Sequence, residues 1–164
     1  MLKPAQLYKE EIKTKLIEHW YDPRCQHYFA GSYREWQIPD NCDWRREFAC
    51  VSSSGEVVGY FSYSYDETSR SMANFGLISF VETPVVLLDA VRHTKLMLES
   101  GMAQRVEIWA FADNPANEIY EHFMQKFGGW CCGKLDRTCF YNGKFHDSKV
   151  YQLLVENYVK SKKK

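Results

Sequence analysis

Apolar and polar positions along this chain follow two periods, and the switches between them outline its elements. Over residues 4–20, Leu7, Ile12, Leu16 and Ile17 recur at helical spacing with Lys and Glu between them, which predicts an amphipathic helix. Residues 21–44 lose that period and become aromatic and turn-prone, with His27, Tyr28, Phe29, Tyr33, Trp36 and Trp44. Such rings bury much area when packed on a core. Lining a pocket, they would stack on an aromatic ligand or hold an ammonium. Strand patterns follow over residues 46–52 and 56–65, joined by the turn residues Ser53, Ser54 and Gly55. Residues 66–70 turn the chain again, and residues 72–81 predict a fourth strand with Gly76 as a candidate bulge. Residues 84–100 read as a helix with Val85, Leu88, Val91 and Leu96 inward and Gly101 closing it.

The most structured pattern comes next. Residues 105–111 alternate and are rich in branched and aromatic side chains, so they predict a strand. Asp113, Asn114 and Pro115 stop it and start a helix, with Asn114 as N-cap and Pro115 at the first helical position. Ile119, Phe123 and Phe127, with Tyr120 and Met124 beside them, make the apolar face, and Gly128-Gly129 ends the helix. A long strand over residues 130–141, an Asn142-Gly143 turn and a return over residues 144–155 form a hairpin. Strands interleaved with helices and closed by a hairpin give an α/β chain with a mixed sheet.

Composition narrows the classes. At 164 residues the chain reads as one domain able to bury a substantial core. Its 21 basic and 21 acidic side chains cancel, so bulk charge recommends neither nucleic acid nor membrane. No apolar run approaches the ~18 residues that span a bilayer, and the start of the chain lacks a signal core, so a cytoplasmic location is expected. The six cysteines have no CxxC spacing and should be free thiols in a reducing compartment. Cys131 and Cys132, adjacent on a strand, point to opposite faces, which argues against a shared metal. Strand cysteines of this kind usually act as small core hydrophobes. The lysine-rich residues 159–164 read as a solvated tail.

Asn117 followed by Gln125-Lys126-Phe127-Gly128 resembles the "N…EKLGF" signature of the GNAT superfamily of N-acyltransferases. Val57-Val58-Gly59-Tyr60 is similar to the third strand of that family. The resemblance covers residues 47–158, and the closing hairpin is similar to the ribosomal-protein and diamine acetyltransferase branches. It implies a GNAT-like fold of one domain: an α/β (α+β), mostly antiparallel sheet splayed between strands four and five and flanked by helices. Residues 1–45 would then supply the acceptor side. The resemblance also implies acetyl-CoA as cosubstrate, held by the backbone of Ser79, Phe80 and Val81, with Asn117 near the pantetheine arm. The acceptor would be an amine: a small amine, an antibiotic or a protein N-terminus.

Two departures stand out. The family's glycine loop, which wraps the cofactor diphosphate with backbone N–H groups, falls here on residues 81–87. That stretch has no glycine and no base, Pro84 lacks a donor, and Glu82 is acidic. The diphosphate would then depend on the following helix N-terminus and on Arg92, His93 or Lys126. The family's tyrosine acid, seven residues after its Asn, is Met124 here, which leaves Tyr120 as the candidate proton donor. Glu82 is the candidate base acting through water, with Glu107 as a substitute. Two functions stay open: an acetyl-CoA-dependent N-acetyltransferase, or a GNAT-fold binding protein without catalysis. A homodimer docked through the aromatic segment remains a third option.

Overall fold

A computed structural model of the chain describes residues 1–20, 37–141 and 143–163. Strands form where branched and aromatic residues run: β1 (Leu2–Pro4), β2 (Arg45–Val51), β3 (Val57–Asp66), β4 (Ser71–Ser79), β5 (Arg105–Phe111), β6 (Trp130–Tyr141) and β7 (Lys144–Leu154). The helices are α1 (Lys9–Trp20), α2 (Val85–Glu99), α3 (Asn117–Phe127) and α4 (Val155–Ser161), with a 3₁₀ turn over Ala5–Tyr8. The sheet order is β1-β2-β3-β4-β5-β7-β6, and among the described residues only β4 and β5 run parallel. The α/β, mostly antiparallel architecture expected from the sequence is therefore present. The chain divides into two compact units, Met1–Ser64 with Gly76–Leu96, and Tyr65–Phe75 with Met97–Lys164.

In the first unit, β2 pairs antiparallel with β1 on one side and β3 on the other. One core gathers Ala5, Ile12, Ile38, Ala49, Val51, Val57 and Tyr60. Alternation sends Phe48, Phe61 and Tyr63 to the other face, where they pack with His93 of α2 at ring distances of 4.8–5.9 Å. Gly59 sits where backbones meet: a Cβ there would lie 2.5 Å from Val86 Cγ2 and 2.6 Å from the Ile78 carbonyl oxygen. The glycine of the Val-Val-Gly-Tyr run is thus required by close packing.

In the second unit, β5 pairs antiparallel with β7 along its whole length, from Arg105↔Leu154 to Phe111↔Ser148. Its parallel ladder with β4 holds only Ser71↔Arg105 and Met72↔Val106. β6 closes the hairpin on β7, with Tyr141 registered opposite Lys144. Gly128 ends α3 in the left-handed region at φ 79°, its N–H donated to the Met124 carbonyl.

Several local expectations change. The helix over residues 4–20 begins only at Lys9, because Leu2–Pro4 pairs with β2 instead. Its stripe is Ile12, Leu16 and Trp20, while Leu7 and Ile17 are exposed. In α2, Leu88 and Leu96 face out and Val86, Asp89, Ala90, Thr94 and Leu98 are buried. Polar partners shift that face: Asp89 accepts from the Met1 amine, and Thr94 Oγ1 donates to the Ala90 carbonyl. The tail is not simply solvated. Residues 155–161 form α4, which buries Tyr158, and both the Tyr158 hydroxyl and Lys162 bond Glu99. Cys131 and Cys132 are exposed on the edge strand β6, so they are not core hydrophobes. Gly76 has no left-handed backbone, and the nearby positive φ belongs to Asn74 at 51°. Among the described residues no helix is long and apolar enough to cross a membrane. The aromatic segment lies mostly outside the described residues; of its rings, Trp44 is described and exposed.

Gly59→Ala should therefore lower unfolding free energy by about 1–3 kcal/mol, the cost of overpacking, with no change of secondary structure. Urea unfolding followed by circular dichroism reads this, and a neutral result would contradict the close packing at that position.

Candidate active site

The carboxyl end of β5 is held by a single buried side chain. Asn117, 5% exposed, places its Nδ2 2.8 Å from the Phe111 carbonyl oxygen, 3.2 Å from that of Ala112 and 2.9 Å from that of Asn114. Its Oδ1 accepts from the Tyr151 hydroxyl of β7 at 2.9 Å. The amide thus spends its donors and an acceptor inside the fold; the Phe111 and Asn114 carbonyls also accept the Asn114 and Asn117 N–H groups, so the side chain clamps a turn that is already hydrogen-bonded. Asn114 is not the N-cap that the sequence suggests. Its Oδ1 accepts from the Ala116 N–H, closing an Asx turn, and α3 starts at Asn117.

Tyr151 has one proton and two acceptors, Asn117 Oδ1 and Glu121 Oε1, the latter at 3.1 Å. Burial, with the neighbouring Glu121 carboxylate adding to it, raises its phenol above the ordinary range. Lys149 Nζ donates to Glu121 at 2.8 Å, and this bond, with the Tyr151 hydroxyl, lowers the Glu121 carboxyl below its ordinary value. Tyr120 lies beside the network, its ring 6.2 Å from that of Tyr151. Its half-buried phenol is raised by burial, and its hydroxyl has no hydrogen-bond partner among the described residues. Beyond the strand end, His146 of β7 turns Nδ1 to the Asp113 carboxylate at 2.8 Å. Glu121, Lys149, Tyr151 and the Asp113–His146 pair escape a sequence reading because each contact spans about thirty positions.

The other sequence candidates fall in separate places. Lys126 is exposed in the last turn of α3, at the opposite end from Asn117 and roughly 13 Å along the helix. β4 ends at Ser79, two residues earlier than expected, because Ser79 Oγ donates to the Val81 carbonyl and turns the chain. The Phe80 N–H is already donated to the Val58 carbonyl, and the Val81 N–H faces Ser79 Oγ at 3.4 Å. Glu82 is exposed and precedes the first turn of α2, which contains no acid. Glu107 accepts from Trp109 Nε1 at 2.6 Å. Arg92 reaches solvent from α2. His93 is packed among rings with Nε2 2.9 Å from the Tyr63 hydroxyl, and burial lowers its pKa, so it brings no charge to an anion at neutral pH.

The strand order, the parallel β4–β5 ladder and the β5–α3 turn define a class: this is the fold of GNAT acetyltransferases. The chain is similar to a GCN5-related N-acetyltransferase from Brucella melitensis at 15% identity and a TM-score of 0.72, covering 99% of this chain and 78% of that one. It is similar to RimL, a ribosomal L7/L12 α-N-protein acetyltransferase solved with coenzyme A, at 12% identity and a TM-score of 0.70, covering 95% of this chain and 94% of that one. The spermidine/spermine N-acetyltransferase SpeG from Vibrio cholerae matches at 19% identity and a TM-score of 0.62, over 72% of this chain and 69% of that one. No protein-family model matches the chain, and no curated protein matches it.

Tyr151→Phe should cost about 1–2 kcal/mol in urea unfolding, since Asn117 Oδ1 would lose its donor in a buried site. The Glu121 pairing carries a pH signature. Its folded carboxyl titrates below the ordinary 4.5, so the pairing stabilises the fold above that pH and fades as pH falls through the folded value. The melting-temperature gap between wild type and Lys149→Met should therefore narrow below pH 4.5. A constant gap would contradict the pairing.

Proposed function

We propose that this chain is an N-acyltransferase that moves an acetyl group from acetyl-CoA to a primary amine by direct attack, in a single GNAT-like domain. The observation that carries this reading is Tyr120: a half-buried phenol without a hydrogen-bond partner among the described residues, on the first turn of the helix that Asn117 anchors, in an acetyltransferase fold. Direct attack needs a neutral amine, a polarised thioester carbonyl and a proton for the departing thiolate. Tyr120 serves the third need. A phenol raised above 10 stays protonated at neutral pH and donates a hydrogen bond to the thiolate. Full transfer to a thiolate of pKa about 8.5 is uphill, so solvent completes the protonation.

In this reading Asn117 is a positioning residue, because its amide is committed to the β5–α3 turn. The diphosphate, lacking a glycine loop, takes the first N–H groups of α2, which a helix leaves without intrahelical acceptors. The contribution of Ser79, Phe80 and Val81 comes through groups other than the committed Phe80 N–H. Glu82, exposed ahead of α2, acts as a base through water.

Turnover is read from thiol release with acetyl-CoA and a panel of primary amines. Tyr120→Phe should lower kcat about 10²-fold, the low end for a general acid, and leave the acetyl-CoA KM unchanged. An unaltered kcat would remove Tyr120 from the mechanism. Cofactor binding with no transfer to any amine would favour a GNAT-fold binding protein.

A further inference from the structure

β1 ends at Pro4, opposite Phe48, so residues 45–47 of β2 continue with no registered partner on that side among the described residues. A pocket of about 320 Å³ lies against this stretch, with Pro4, Asp40, Arg45, Glu47 and Phe48 among its walls. All belong to the first unit. Glu47 is 6% exposed, and its two oxygens are treated differently. Oε1 accepts the Tyr60 hydroxyl at 2.6 Å and has Arg45 Nε at 3.5 Å. Oε2 is buried with no hydrogen-bond partner among the described residues. A buried charged acceptor left without a donor carries its desolvation penalty uncompensated.

The neighbours are not free to repair this. Arg45 Nη2 donates to Ser62 Oγ at 2.7 Å, and Gly76 leaves room for that hydroxyl, since a Cβ there would stand 2.7 Å from it. Asp40 is paired with Lys9, and Arg46 Nη1 is spent on the carbonyls of Cys42 and Asp43. Among the described residues Oε2 therefore lacks a donor, and one with positive charge suits a carboxylate best.

We propose that this pocket is the subsite for the amine acceptor, with an ammonium N–H donating to Glu47 Oε2 and Pro4 beside the attached carbon. The assignment rests on the acyl-transfer reading and makes Glu47 an acceptor-binding residue. Tyr60 and Arg45 fix the carboxylate by holding its other oxygen.

The test uses the full chain, n-butylamine as the probe and 1-butanol as its uncharged counterpart. Millimolar n-butylamine should raise the melting temperature of the wild type, and 1-butanol should not. Glu47→Gln should abolish the rise and increase the amine KM at least tenfold, with acetyl-CoA affinity within twofold of wild type. No amine-specific rise in the wild type, or a folded Glu47→Gln protein that keeps it, overturns the assignment. Should Glu47→Gln fail to fold, Tyr60→Phe keeps the carboxylate but frees its anchored oxygen. The amine-dependent rise must then shrink, and an unchanged rise overturns the proposal. A wild type that responds to the amine but binds no acetyl-CoA would instead sink the acyl-transfer reading alone.

Discussion

The commitment of one buried amide holds the second unit of this protein together where β5 meets α3. Where β5 stops, the carbonyls of Phe111, Ala112 and Asn114 converge, those of Phe111 and Asn114 already accepting turn N–H groups, and Asn117 places its Nδ2 among them. The Tyr151 hydroxyl completes the arrangement from β7, and Glu121 and Lys149 extend it to the surface. A half-satisfied buried network is costly, so each member constrains the next. The start of α3 is set by this network, and with it the place of Tyr120.

A second constraint is the close approach of backbones. Gly59 lets α2 and β4 come within contact of β3, and Gly76 leaves space for Ser62 Oγ beside Arg45. Removing side chains there permits a sheet face that carries charge inside it, the Arg45, Glu47, Tyr60 and Ser62 group. The absent glycine loop ahead of α2 is a different matter. Without glycines or bases in residues 81–87, an anion there depends on the helix terminus itself, which is worth roughly 0.3–1 kcal/mol at an exposed position.

Much of the fold was legible because its strands alternate and its turns use glycine where φ is positive, as at Gly55, Gly101, Gly128 and Gly143. The hairpin of β6 and β7 and the Gly128 end of α3 follow directly from that chemistry. Helix faces were less legible, because buried polar pairs outweigh apolar spacing: Asp89 and Thr94 are inside α2 while Leu88 and Leu96 are outside. Asn117 could be singled out from its motif, yet its partners could not. Tyr151, 34 residues away, looks like any core tyrosine until the strands are paired. Glu47 was equally hidden, an acid at one position of a strand whose burial depends on what β3 and β4 place beside it.

The claim on which the functional account stands is that this fold binds acetyl-CoA without its glycine loop. Calorimetric titration of the purified chain with acetyl-CoA tests it most directly. The account predicts saturable binding in the micromolar range, weakened by added salt because the diphosphate is held by charge and dipole. No heat and no thermal shift at millimolar acetyl-CoA would contradict it.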